Sequence, residues 1–186
     1  MIIFDSKTHT YFIDGEKTPS VTQIIQDAGL VDGSEFFKPH HAARGTLVHR
    51  ATDALDRGID TSEQHDPEVE PYLKSYKRFL KECSPTYEEI EKIKVIRELK
   101  VAGTVDRSGT IFGEKAVIDI KTGIKARWHG IQLAAYAWDR QDFKRYTLHL
   151  KTNGKYILIE HSDKQDFLVF KSAAILYHYK KGTIWN

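Results

Sequence analysis

Between Leu80 and Glu88 the apolar residues of this chain change their spacing, and that change restricts the fold more than any other feature. Upstream, apolar positions recur at helical intervals. Val48, Ala51, Ala54 and Leu55 form one stripe in a helix over about 40–57, which Gly58 stops. Tyr72, Tyr76, Phe79 and Leu80 form another over about 66–81, with Pro67 in its first turn. From Glu88 to Leu99, and again over 101–106 and 116–120, the residues become β-branched and apolar. Three strands in an antiparallel meander follow from this, with Ser108-Gly109 and Phe112–Glu114 as turn material. Helical spacing returns over about 127–139. Strands over 145–151 and 155–160 flank Asn153-Gly154, the strongest short hairpin signal, and a last helix spans about 163–180 before Gly182. At the front, Met1–Phe4 and Tyr11–Ile13 suit a hairpin, with Asp14-Gly15 turning the chain afterwards. Ser20 caps a helix with Gln23 at the capping-box position and Gly29 at its end, and a polar loop follows through Asp32-Gly33-Ser34. Helices, meander, helix, hairpin, helix is the order of an α/β sandwich around a central mixed sheet flanked by helices. The 186 residues suit a single domain over 1–186, with an N-terminal hairpin and helix in 1–35 and the core in 36–186.

The strand-rich region also carries the chemistry. In Val117-Ile118-Asp119-Ile120-Lys121, alternation puts Asp119 and Lys121 on one face and Ile118 and Ile120 on the other. Asp106 ends the preceding strand and can come alongside Asp119. Two carboxylates held close repel, and one would take up a proton unless a cation lies between them. Hard oxygen ligands suit Mg²⁺ or Mn²⁺, which polarises a phosphate and activates water. An amine two residues from a ligand can steer that water or hold developing charge. Hydrolysis of a phosphodiester fits this set. The same residues on a half-exposed strand would make an ordinary surface ion pair.

Other classes are excluded or disfavoured. Cys83 is the only cysteine, which rules out a disulfide within the chain, a cysteine-based zinc site and a four-cysteine iron–sulfur cluster. No apolar run approaches the roughly 20 residues of a membrane span, and the opening MIIFDSKTHTYFIDG has neither signal- nor transit-peptide character, so a cytoplasmic location without membrane partners is expected. The formal charge of +2 is too small to argue for nucleic acid by itself.

Four motifs stand in order: Gly45-Thr46-Leu47-Val48-His49, Gly103-Thr104-Val105-Asp106, Asp119-Ile120-Lys121, and Gln132-Leu133-Ala134-Ala135-Tyr136. Together they resemble the PD-(D/E)XK nuclease superfamily, specifically its RecB-like branch, and the opening YFIDGEKTPSVTQII looks like the start of small, stand-alone phage-type exonucleases. The resemblance implies a restriction-endonuclease-like fold and a site held by one or two Mg²⁺ or Mn²⁺ ions, with no iron–sulfur cluster. His49, Asp106, Asp119 and the backbone carbonyl of Ile120 would be metal ligands, and Lys121 the catalytic lysine. Gln132 and Tyr136, one helical turn apart, would face the site. Glu98, on the neighbouring strand, would reach a second metal or pair with a lysine. Arg44, Arg50, Lys125 and Arg127 would contact the DNA backbone, and Trp128 would stack on unpaired bases. The adjacent His40 and His41 are further candidates for DNA contact or for plain exposure. The family's proline is Val105 here, and no helicase motif is present.

The resemblance therefore implies a Mg²⁺/Mn²⁺-dependent deoxyribonuclease. An exonuclease acting on DNA ends in replication, recombination or repair is expected, in a bacterial or phage-infected cytoplasm. A recombination or single-strand-binding protein is a further expected partner. A structure-specific or restriction-type endonuclease, or an inactive nucleic-acid-binding module of the same fold, are the alternatives.

Overall fold

The structure is a computed structural model, and it describes residues 1–5, 8, 10–31, 39–59 and 66–183, with the side chains of 39–41 left aside. The expected loop at Asp32-Gly33-Ser34 and the side chains of His40 and His41 lie outside the described residues. The element order is β1 (Ile2–Asp5), β2 (Thr10–Ile13), β3 (Glu16–Thr18), α1 (Val21–Asp27), α2 (Pro39–Asp56), α3 (Glu70–Cys83), β4 (Thr86–Ile96), β5 (Val101–Ile111), β6 (Glu114–Lys121), α4 (Trp128–Tyr136), β7 (Lys144–Leu150), β8 (Tyr156–Glu160) and α5 (Gln165–Lys181).

The central sheet runs β4-β5-β6-β7-β8 in sequence order. Every pair is antiparallel except β6–β7, which is parallel. Parallel neighbours need a crossover, and α4 supplies it. The sheet is therefore mixed and flanked by helices. One layer joins α1, α4 and α5 to Val101, Val105 and Val117 of the sheet. The other joins α2 and α3 to Ile118, Ile120 and Leu148. Val117 and Ile118 enter different layers because successive strand residues alternate. Fully buried side chains such as Phe79 and Phe170 each add roughly 1.5–3 kcal/mol through burial.

β5 serves both layers. Val101 and Val105 pack on the α4 side, whereas Ile111, of the same parity, packs on the α2 side. The exchange of faces falls at Asp106. Across from it Glu91 has φ 49°, a left-handed conformation on a strand. Such a residue costs roughly 1–2 kcal/mol and locally re-aims the chain.

The front of the chain forms its own three-stranded antiparallel sheet, β1-β2-β3. Asp14 (φ 52°) and Gly15 (φ 90°) make the tight turn that the Asp-Gly pair favours. The turn leads into β3, a polar three-residue strand that no apolar alternation announces. This unit is fastened to β5 beside the acids. Ala102 N donates to Pro19 O (3.0 Å), and the Tyr11 and Thr104 hydroxyls are 2.8 Å apart. α1 carries the complete capping box, with Ser20 and Gln23 bonding each other's backbone N–H groups.

Three boundaries differ from expectation. Ser108-Gly109 is no turn, because β5 runs through it to Ile111, and Phe112-Gly113 alone reverses the chain. A Cβ on Gly109 would lie 1.9 Å from Thr86 O, so this glycine serves a close strand approach next to a register shift in β4. α3 begins at Glu70 rather than near Asp66, so Pro67 precedes the helix and Pro71 takes the place in the first turn expected of it. α4 ends at Tyr136, three residues before the expected position.

Candidate active site

His49 sits in the middle of α2, next to Val48, which is fully buried against the sheet. Its Nε2 donates to Ile120 O at 3.1 Å. Its Nδ1 lies 3.5 Å from Asp106 Oδ1 and 3.6 Å from Glu91 Oε1. Asp106 uses its other oxygen, Oδ2, to accept from Ile120 N at 2.6 Å. β5 and β6 pair up to Arg107–Ile118, and Asp106 and Asp119 stand one step beyond that last pair. Ligating atoms of His49, Glu91 and Asp106 all lie within 4.8 Å of one another, the one such group among the described residues.

Lys121 ends β6 on the same face as Asp119. Its ammonium is 2.7 Å from Asp119 Oδ2 and donates to Gln132 Oε1 at 2.9 Å. It also lies 5.4 Å from the centre of the Trp128 ring. Gln132 is oriented in turn, its Nε2 donating to Tyr136 OH (3.1 Å) and, at 3.4 Å, to Thr22 Oγ1. The i, i+4 spacing on α4 is what lets Gln132 and Tyr136 meet. α1 contributes Thr22 from the opposite side.

The electrostatics concentrate negative charge. Burial, with Asp119 and Glu91 adding to it against the pull of His49 and Lys121, raises Asp106 to about 7. Burial opposes a charge on His49, yet Asp106, Glu91 and Asp119 outweigh it and pull the imidazolium up to about 9. Burial alone would raise Glu91, but His49 and Arg107 hold it below the ordinary carboxylate range. The imidazolium proton thus occupies a place where these carboxylates favour positive charge.

These groups line a cleft of about 460 Å³, walled by α1, α2 and the front sheet. His49, Asp106, Asp119, Lys121, Gln132 and Tyr136 all face it, and Arg50 stands at its edge. Lys125 and Arg127 are exposed on the segment that follows β6. Three expected positions fall elsewhere. Glu98 lies in a 3-10 turn over Arg97–Leu99, not on the strand, and accepts from Trp138 Nε1. Arg44 is drawn to Glu68 (3.9 Å) and lies over the Tyr72 ring (5.6 Å). Trp128 is buried at 7% exposure, so its ring packs within the core instead of offering a face to a base.

Glu91 is the acid missed in the sequence. The pairs Ile90–Arg107 and Lys92–Val105 place it opposite Asp106. Counting back from the hairpin's closing pair, Ile96–Val101, would have found it. Thr22 was missed as well, and nothing in its local sequence marks it.

No family model matches the chain, and no curated protein matches it. Among solved structures, the protein described as SSO0001 is similar at TM-score 0.38 and 14% identity, covering 84% of each chain. A likeness at that level carries neither fold family nor function to this chain.

Among the described residues no helix is long and apolar enough to cross a membrane.

Proposed function

We propose that this chain is a metal-dependent deoxyribonuclease with a PD-(D/E)XK fold, acting as an exonuclease on DNA ends in replication, recombination or repair. The observation that carries this is one cleft lined by His49, Glu91 and Asp106 as a ligand cluster and by Lys121 held between Asp119 and Gln132. Cytoplasmic action, DNA as substrate, and a recombination or single-strand-binding protein as partner belong to the same proposal.

The donor set fits a divalent cation. Two carboxylates and an imidazole converge, and burial, with Asp119 and Glu91 adding to it, raises Asp106 to about 7, a cost that a cation would relieve. His49, Glu91 and Asp106, with Asp119 and the Ile120 carbonyl, would hold Mg²⁺ or Mn²⁺; the imidazole suits Mn²⁺ better than Mg²⁺. Bound there, the ion would lower the pKa of a water and polarise a phosphoryl oxygen.

The chain's own groups do the positioning. An ammonium has three protons. Gln132 accepts one of them and Asp119 Oδ2 stands 2.7 Å away as the ion-pair partner, so donor capacity remains for a phosphate oxygen in the cleft. Losing a donor aimed at developing charge costs about 10²–10³ in kcat. Gln132 cannot turn its amide without breaking its bond to Tyr136, so the lysine's direction is set before substrate arrives. Arg50 at the cleft edge would bind backbone phosphate.

The test uses an end-labelled linear duplex, its single strand and a closed circular plasmid, with Mg²⁺, Mn²⁺ or EDTA. Loss of the linear substrates with the circle intact, stopped by EDTA and by Asp119→Ala or Lys121→Ala in folded protein, is the expected result. Nicking of the circle would mean an endonuclease. Undiminished cleavage by either variant, or none by the wild type in any metal, would overturn the proposal.

A further inference from the structure

Among the described residues Arg107 is the largest fully buried side chain, and it lies directly behind the ligand cluster. Its guanidinium makes four hydrogen bonds to three elements. Nε donates to Asp56 Oδ2 (2.6 Å) and Nη2 to Thr52 Oγ1 (3.2 Å), both on α2. Nη1 donates to Glu91 Oε1 (3.1 Å) on β4 and to Asp106 O (2.7 Å) on its own strand. Thr52 Oγ1 donates onward to His49 O at 3.0 Å. Tyr76 OH also donates to Asp56 Oδ2 at 2.6 Å, which fixes the carboxylate that fixes the arginine. Each member of the cluster is therefore reached: Glu91 through its carboxylate, Asp106 through its carbonyl, His49 through Thr52.

A buried arginine with a buried acid adds little stability over a well-packed apolar pair. Its planar fork does something an apolar pair cannot, which is to fix several acceptors at set angles. We infer that Arg107 is the positioning residue of the cluster: it holds Glu91, Asp106 and the His49 turn of α2 in the arrangement that takes up a divalent cation. The inference rests on the metal site proposed above. Groups behind metal ligands commonly change affinity 10–100-fold when removed.

The measurement is Mn²⁺ affinity, read from the free-ion electron paramagnetic resonance signal, with the fold checked by circular dichroism and melting. Arg107→Lys keeps the charge near Asp56 and loses the fork. It is expected to weaken Mn²⁺ binding at least tenfold while remaining folded. A merely structural role would lower the melting temperature and leave the affinity of the folded protein unchanged. Thr52→Val cuts only the arginine's hold on the His49 turn and is expected to weaken binding severalfold; it decides the matter if Arg107→Lys does not fold. Wild-type affinity in the folded variants, with binding lost in Asp106→Ala, overturns this inference alone. A wild type that takes up no Mn²⁺, or an Asp106→Ala that takes it up equally well, overturns the metal site and this inference with it.

Discussion

Gly103 opens the motif that ends in Asp106, and replacing it with alanine tests how tightly the site is tied to the packing. Its φ is not in the left-handed region, so conformational freedom is not what the position needs. Space is. A Cβ there would stand 2.9 Å from Tyr136 Cε1 and 2.9 Å from Val21 Cγ2, closer than real Cβ atoms come. Neither neighbour can give way cheaply. Val21 is 2% exposed at the start of α1, and the Tyr136 ring belongs to α4. Gly103→Ala must therefore push two helices off β5. Overpacking of this kind costs about 1–3 kcal/mol. For a chain of this length that is about 3–10 °C in melting temperature. The displaced Tyr136 hydroxyl is the acceptor for Gln132, whose other end holds Lys121. Cleavage is expected to fall about tenfold to a hundredfold, since a misplacement near 1 Å has that effect. Calorimetric melting and single-turnover cleavage give the two readouts. A variant that melts within about 1 °C of wild type and cleaves as fast would refute the steric argument.

Gly45, the other motif glycine, has nothing within 4 Å of its Cβ position, so Gly45→Ala should gain helix stability, about 0.5–1 kcal/mol by denaturant unfolding; cleavage should fall because the added methyl enters the cleft. Gly109→Ala should destabilise more than Gly103→Ala, because the obstruction is the backbone oxygen of Thr86, and equal melting points would contradict this. His129 is pushed down to about 2 by burial, then by Lys121, His149 and His161. The unfolded chain takes up this proton near 6.5 and the folded chain refuses it. Its contribution is therefore intact above about 6.5 and is lost as pH falls below that, by up to about 1.4 kcal/mol per unit. Denaturant unfolding at neutral pH and near 5.5 should show about 1 kcal/mol more acid loss in wild type than in His129→Gln; equal losses would contradict the assignment.

What the sequence reveals depends on how local the signal is. The Ser20–Gln23 box and the Asn153-Gly154 hairpin are decided within a few residues, and both are present. The facing of Asp119 and Lys121 away from Ile118 and Ile120 follows from strand period alone, and the two core layers separate these residues in that way. Gly109 was misread because a glycine for close strand approach and a glycine for a turn look the same in one dimension. Glu98 was misplaced because a strand continued to Leu99 hides the reversal at Arg97–Leu99, where Lys100 (φ 47°) turns the chain back. Once β4 ends at Ile96, Glu91 is the acid that meets Asp106. Arg44 and Trp128 are near motif residues in sequence, but Tyr72 and the core claim them first.

All nine residues of α4, Trp128 to Tyr136, are buried, and the helix meets solvent only where Gln132 and Tyr136 line the cleft. Most helices keep a broad wet face along which they can slip or fray; this one does not. Its amides should exchange with deuterated solvent only when the whole molecule opens, later than those around the exposed Ala42, Ala43, Thr46 and Leu47 of α2. The two walls of the cleft thus differ in tempo. The wall that aims the lysine is fixed when the chain folds, and under the proposed function adjustment to substrate would fall to the part of α2 ahead of its histidine.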